Sequence, residues 1–69
     1  MIVKIQRPLE SSLDDPPALV YNEDKSVYFH TKFNPTLALA MGSRPKIYCE
    51  AVIQGKGIRI VKEIEAQPW

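Results

Sequence analysis

Residues 46–64, KIYCEAVIQGKGIRIVKEI, constrain the fold more than any other part of the chain. Apolar and polar residues alternate on both sides of the glycine-containing run 54–57, a pattern typical of two half-buried strands joined by a turn. The register set by that turn pairs Ile53 with Ile58, Ala51 with Ile60, Cys49 with Lys62 and Ile47 with Ile64. One face of this predicted hairpin is therefore apolar, except at Lys62.

Residues 18–29, ALVYNEDKSVYF, predict a second hairpin with its turn at 22–25. This turn pairs Tyr21 with Ser26, Val20 with Val27, Leu19 with Tyr28 and Ala18 with Phe29. The alternation continues through SVYFHTKF, residues 26–33, which carries the chain's one histidine. Val27 and Phe29 are expected on the core side of this strand, while Tyr28, His30 and Lys32 are expected on the other side.

Two further elements complete the secondary-structure prediction. Residues 2–6 read as a short strand that ends before Pro8, because proline cannot donate a hydrogen bond to a sheet. A helix should follow Asn34, whose side chain is a good N-cap, and should end at Gly42. The proline-rich stretch 7–17 is expected to be a long loop, and residues 65–69 a polar tail.

The predicted fold is mostly β with one short helix, in the order β-β-β-α-β-β. This is the element order of the OB-fold, so a small OB-like five-stranded barrel is expected. An open antiparallel sheet with the helix packed on one face is the alternative. The expected core comprises Val20, Val27, Phe29, Leu37, Ile47, Ile53, Ile58 and Ile60.

The length of 69 residues predicts a single domain, 1–69, that buries only a modest part of its surface. Small domains commonly compensate with disulfides, a metal or oligomerisation. A lone cysteine, Cys49, excludes an internal disulfide, and the sequence holds no cluster of zinc ligands. We therefore expect no metal and no cofactor, and oligomerisation remains. A lone thiol suits a reducing cytoplasm, and no apolar run is long enough to span a membrane.

The sequence favours a non-enzymatic role. A nucleophile–base pair would need His30 and Cys49 to meet, whereas the predicted registers place them on different faces. The formal net charge of +1 indicates no particular partner. Residues 25–62 nevertheless hold seven Lys and Arg residues against a single acidic residue, Glu50, which can mark an anionic partner or a segment neutralised by its neighbours.

The outward side of the predicted strands carries more apolar and aromatic surface than a solvated sheet should. Its members are Leu19, Tyr21, Tyr28, His30, Tyr48, Val52, Arg59 and Val61. One interpretation is a protein contact, either a homo-oligomer interface or a docking site within a larger assembly. The other is a single-stranded nucleic-acid site in which aromatic rings stack bases. Its phosphate contacts would then be Lys32, Lys46, Lys56 and Arg59. A third possibility is that the loop or the tail, including Trp69, covers this face.

Overall fold

The computed structural model describes residues 1–7, 17–55 and 57–69 of the chain. Its strands are β1 (Ile2–Gln6), β2 (Ala18–Tyr21), β3 (Tyr28–Thr31), β4 (Lys46–Gln54) and β5 (Gly57–Ile64), and its helix α1 spans Pro35–Met41. This is the predicted element order. The predicted loop at 7–17 lies mostly outside the described residues.

The strands form one antiparallel sheet in the order β3-β2-β1-β4-β5. β1 lies at the centre, while β3 and β5 are the two edges. The sheet is not closed, so the structure does not confirm the predicted barrel. The prediction of a mostly β fold with one short helix is confirmed.

The β2–β3 hairpin has a different register from the predicted one. Val20 pairs with Phe29, and Tyr21 with Tyr28, so β3 is displaced by two residues. The cause is Asn22, whose side-chain oxygen accepts a hydrogen bond from the Val27 amide at 3.0 Å and whose own amide donates to the Val27 carbonyl at 3.2 Å. Val27 therefore belongs to the turn, and the prediction that it joins the core is wrong. Because the displacement is even, Phe29 keeps its predicted face.

The β4–β5 hairpin follows the predicted register only in its first half. Ile53 pairs with Ile58 and Ala51 with Ile60, but the register shifts between Glu50 and Ala51. Val61 is the extra residue of this β-bulge, so Lys62 pairs with Glu50 and Glu63 with Cys49. The predicted pairs Cys49–Lys62 and Ile47–Ile64 are wrong. After the bulge, each residue of β5 points to the side of the sheet opposite to the predicted one.

The helix has the predicted ends. Asn34 caps it by accepting a hydrogen bond from the Leu37 amide at 2.8 Å, and Gly42 at its C-terminal end has a φ of 61°. Arg44 donates to the Ala40 and Met41 carbonyls, at 2.7 and 3.1 Å, and also pairs with Glu63 of β5. The same guanidinium thus satisfies open carbonyls of the last turn and joins the helix to the sheet.

The core lies between α1 and one face of the sheet, which we call the helix-side face. Its buried members are Val3, Ile5, Ala18, Val20, Leu37, Met41, Ile47, Cys49 and Ala51. Of the predicted core, Val20, Leu37 and Ile47 are buried, while Phe29, Ile53, Ile58 and Ile60 are partly buried against it. Cross-strand pairing aligns Phe29, Val20, Ile5 and Ile47 in one continuous row. This row holds four of the five strands together.

Candidate interaction surface

The opposite side of the sheet, which we call the outward face, is organised around a row of side chains across all five strands. The backbone pairings place these residues in the order Ile64, Tyr48, Lys4, Tyr21 and Tyr28. Ile64 joins this row only because the bulge at Val61 turns it away from the core. The row brings three tyrosines and one lysine together on a rigid sheet.

The tail after β5 covers the middle of this row. The Trp69 ring contacts Tyr48 edge-to-face, with centroids 5.3 Å apart, and lies 6.1 Å from the Tyr21 ring. The Tyr48 hydroxyl donates a hydrogen bond to the main-chain oxygen of Trp69. As a result Tyr48 is only 4% exposed. Tyr48 lies on the outward face, as predicted, but its side chain is buried there and not exposed.

Lys4 lies at the centre of the row, next to the covering tail. Its ammonium is 5.3 Å from the Tyr21 ring centroid and 5.7 Å from that of Tyr48, both within the range of cation–π attraction. A hydrogen bond with Tyr21 raises the pKa of Lys4 above its ordinary value, and this outweighs the opposite effect of partial burial. Lys4 is therefore a fixed positive charge between two aromatic rings.

Two parts of the outward face stay exposed on either side of the covered centre. At the β3 edge, Tyr28 is 54% exposed and contacts His30 with the rings nearly perpendicular. At the far end of β4, Val52 is 38% exposed opposite Arg59, and Ile2 is exposed on β1. Val61, the bulge residue of β5, is 56% exposed. The exposed apolar surface is thus divided into an aromatic part and an aliphatic part.

The remaining predicted site residues are spread over several places. Leu19 is half-buried and pairs with His30, while Lys46 is exposed at the start of β4 opposite Gln6. Lys32 follows β3 and lines a groove on the helix side, and Arg59, which pairs with Val52 of the outward face, borders the same groove. Lys56 lies outside the described residues. Of the predicted phosphate contacts that the structure describes, Lys32 and Arg59 border one groove, whereas Lys46 lies opposite Gln6.

Cys49 and His30 lie on opposite faces of the sheet. Cys49 is fully buried in the core, and burial, with a smaller effect of Glu63, raises the pKa of its thiol to about 11. A thiol of this kind is almost entirely protonated at neutral pH and is a poor nucleophile. In the part of the chain that the structure describes, no group of three or more His, Cys, Asp and Glu residues is placed to hold a metal ion.

Sequence reasoning missed two residues that shape the outward face. The prediction for residues 2–6 uses only their apolar side, although simple alternation places Lys4 on the face opposite to Val3 and Ile5. Ile2 was missed for the same reason. The signal for Trp69 was its size, since a tryptophan in an otherwise polar tail rarely stays in water.

Among the described residues no helix is both long enough and apolar enough to cross a membrane. Comparison of the chain with protein-family models, with curated proteins and with solved structures gives no match.

Proposed function

We propose that this chain is a small, non-enzymatic protein-interaction module that forms a homo-oligomer through the outward face of its sheet. The observation that carries this proposal is that Ile2, Tyr28 and Val52 remain exposed on this face although Trp69 already covers its centre. Exposed aliphatic and aromatic side chains on a sheet are typical of a protein–protein interface.

A second copy of the chain is the proposed partner. A domain of 69 residues has little buried surface of its own, and association is a common way to add more. In a two-fold dimer the same patch meets itself, so the patch must be self-complementary. The aliphatic part of the outward face meets this need, because Val52 is flanked by Arg59, opposite it, and by Glu50, which pairs with Lys62. Charges of both signs therefore surround the apolar centre.

The position of Cys49 supports the non-enzymatic part of this proposal. Its thiol is buried on the helix-side face and its pKa is raised to about 11, whereas His30 is exposed on the outward face. A cytoplasmic location is part of the same proposal, because a buried free thiol is suited to a reducing compartment.

The second candidate function is single-stranded nucleic-acid binding. It is favoured by one observation, the exposed pair Tyr28 and His30 beside Tyr21, whose ring has the ammonium of Lys25 6.0 Å from its centroid. An exposed ring near positive charge can stack a base. The OB-like barrel that usually carries this activity would require β3 and β5 to pair, and these strands are the edges of the sheet.

The test is the molar mass in solution, measured by light scattering over a range of protein concentrations at low and at high salt. We expect the parent to associate at both salt concentrations, because the contact is largely apolar. Val52→Asp should dissociate the oligomer by burying a carboxylate in the contact. Leu39→Asp is the matched control, because Leu39 is 86% exposed on α1, on the other side of the sheet.

A parent that stays monomeric at millimolar concentration would overturn the oligomer proposal, and so would equal dissociation of the two variants. The second candidate has a separate readout. Binding to a single-stranded oligonucleotide that weakens steeply with salt, and that is lost in Tyr28→Ala, would favour it instead.

A further inference from the structure

A groove lies on the helix side of the sheet, between α1, the end of β3 and the first half of β5. Its volume is roughly 470 Å³. The lining includes the apolar side chains Leu37, Ala40, Ile58 and Ile60, with Lys32 and Arg59 among the polar residues. Both edges of the sheet therefore border the same groove, on the side opposite to the outward face.

The β5 wall of the groove is an edge strand. In the described sheet β5 pairs only with β4, so alternate N–H and C=O groups of β5 point away from the sheet. The segment from Gly57 to Ile60 forms a regular ladder with β4, and the bulge at Val61 interrupts the edge just after it. In the described sheet, alternate main-chain donors and acceptors of residues 57–60 are thus unpaired beside the apolar side chains of the groove.

We propose that this groove binds an extended segment of another protein, in which apolar and acidic residues alternate and which adds to β5 as a sixth strand. In this mode of recognition the main chain supplies hydrogen bonds, and pockets for alternate side chains supply specificity. Apolar side chains of the segment would pack beside Ile58 and Ile60. Its acidic side chains would face Arg59, whose pairing with Val52 places it on the alternate side of β5.

The charge of Arg59 indicates the acidic character of the partner. Arg59 lies on β5 at the border of the groove, and the described lining of the groove holds no carboxylate. A second copy of this chain fits poorly. The antiparallel register that pairs Ile58 with Ile60 of another copy places the two Arg59 side chains directly opposite each other, where like charges are destabilising. This proposal therefore concerns a different partner from the proposed homo-oligomer, and one that binds at the β5 edge.

The probe is a short capped synthetic peptide in which valine and glutamate alternate, titrated into isotope-labelled protein and followed by amide NMR spectra and hydrogen exchange. We expect the amides of residues 57–60 to shift and those that face the edge to exchange more slowly. The same peptide with alternate amides N-methylated keeps its side chains but loses its donors, so it should not bind. Replacing glutamate by lysine should weaken binding roughly tenfold.

Charge reversal in the protein gives the matched pair of variants. Arg59→Glu should weaken binding of the glutamate peptide and strengthen binding of the lysine peptide. Lys62→Glu, which lies beyond the bulge, should do neither. Repeating the titration on an Ile2→Asp variant separates this proposal from the homo-oligomer, because Ile2 is exposed on the outward face of β1, two strands away from β5, and the groove should still bind when that face is disrupted.

Several results would overturn the proposal. They are equal binding of the N-methylated peptide, shifts centred on the outward face, no binding at millimolar peptide, and displacement of the peptide from the groove by a single-stranded oligonucleotide that binds there more tightly.

Discussion

Replacing Trp69 by alanine tests whether the tail is a structural part of the sheet. The indole lies over Tyr48 and Tyr21, and its own main-chain oxygen accepts a hydrogen bond from the Tyr48 hydroxyl. If these contacts hold the tail down, the Trp69→Ala variant should release residues 65–69 and expose Tyr48 to solvent.

The magnitude follows from the half-buried state of the indole. A fully buried tryptophan costs about 3–5 kcal/mol on truncation to alanine, so the packing lost here is on the order of 2–3 kcal/mol. The two aromatic pairs add about 1 kcal/mol. The released tail regains conformational entropy, which offsets part of this loss. We expect a net loss of about 2 kcal/mol in the free energy of unfolding, or roughly 8–16 °C in Tm for a domain of this size.

Urea unfolding followed by circular dichroism measures this loss without relying on the tryptophan signal. Trp69→Phe should lose less than half as much, because a smaller ring still covers Tyr48. Leu39→Ala is the surface control and should stay within about 0.5 kcal/mol of the parent. If Trp69→Ala unfolded at the same urea concentration as Leu39→Ala, the tail would not be holding the outward face.

Three other predictions concern the core, a turn and the thiol. Ile5→Ala, in the central strand and fully buried, should cost about 3–4 kcal/mol, a large part of the stability of so small a domain, and a urea midpoint near that of the parent would refute the central place of β1. Lys25 has a φ of 58°, so Lys25→Gly should stabilise the protein by about 0.5 kcal/mol by relieving the left-handed strain, and a lower Tm would contradict this. Because burial raises the pKa of Cys49 from 9.0 to about 11, the unfolded state loses its thiol proton first as the pH rises. The contribution of Cys49 to stability should therefore be complete below about pH 9 and fall by about 3 kcal/mol as the pH passes from 9 to 11, and a shallower loss of stability in Cys49→Ala than in the parent over this range would confirm the source.

The order and type of the elements could be predicted from the sequence because each is specified by nearby residues. Asn34, Pro35 and Gly42 delimit the helix, and alternation marks each strand. The register of β2–β3 could not be predicted in the same way, since it depends on where one side chain bonds. Asn22 reaches forward to Val27 and Ser26, which enlarges the turn by two residues.

The side of the sheet to which the β5 residues after Val61 point could not be predicted from alternation alone. Strict alternation places Lys62 in the core, and the burial of a lone charge there would be costly. The structure avoids this with one extra residue, and Lys62 then lies opposite Glu50. Ile58, Ile60 and Ile64 keep one phase of alternation in the sequence, so the signal that a bulge is needed is the single charged residue, Lys62, that interrupts this apolar series. The size of Trp69 indicates that it is buried, but its contact with Tyr48 has no local signal, because it joins β4 to the tail.

The central place of β1 has a consequence for how the chain folds. The hairpins β2–β3 and β4–β5 join neighbours in sequence and can each form on a microsecond timescale. The pairs between β1 and β4 join residues separated by 40 to 48 positions, from Gln6–Lys46 to Ile2–Glu50. Closing so long a loop lowers the chain entropy, and this loss comes before the β1–β4 contacts can stabilise the structure. Docking of β1 between the two preformed hairpins should therefore be the slow step, and the core becomes complete only when it is done.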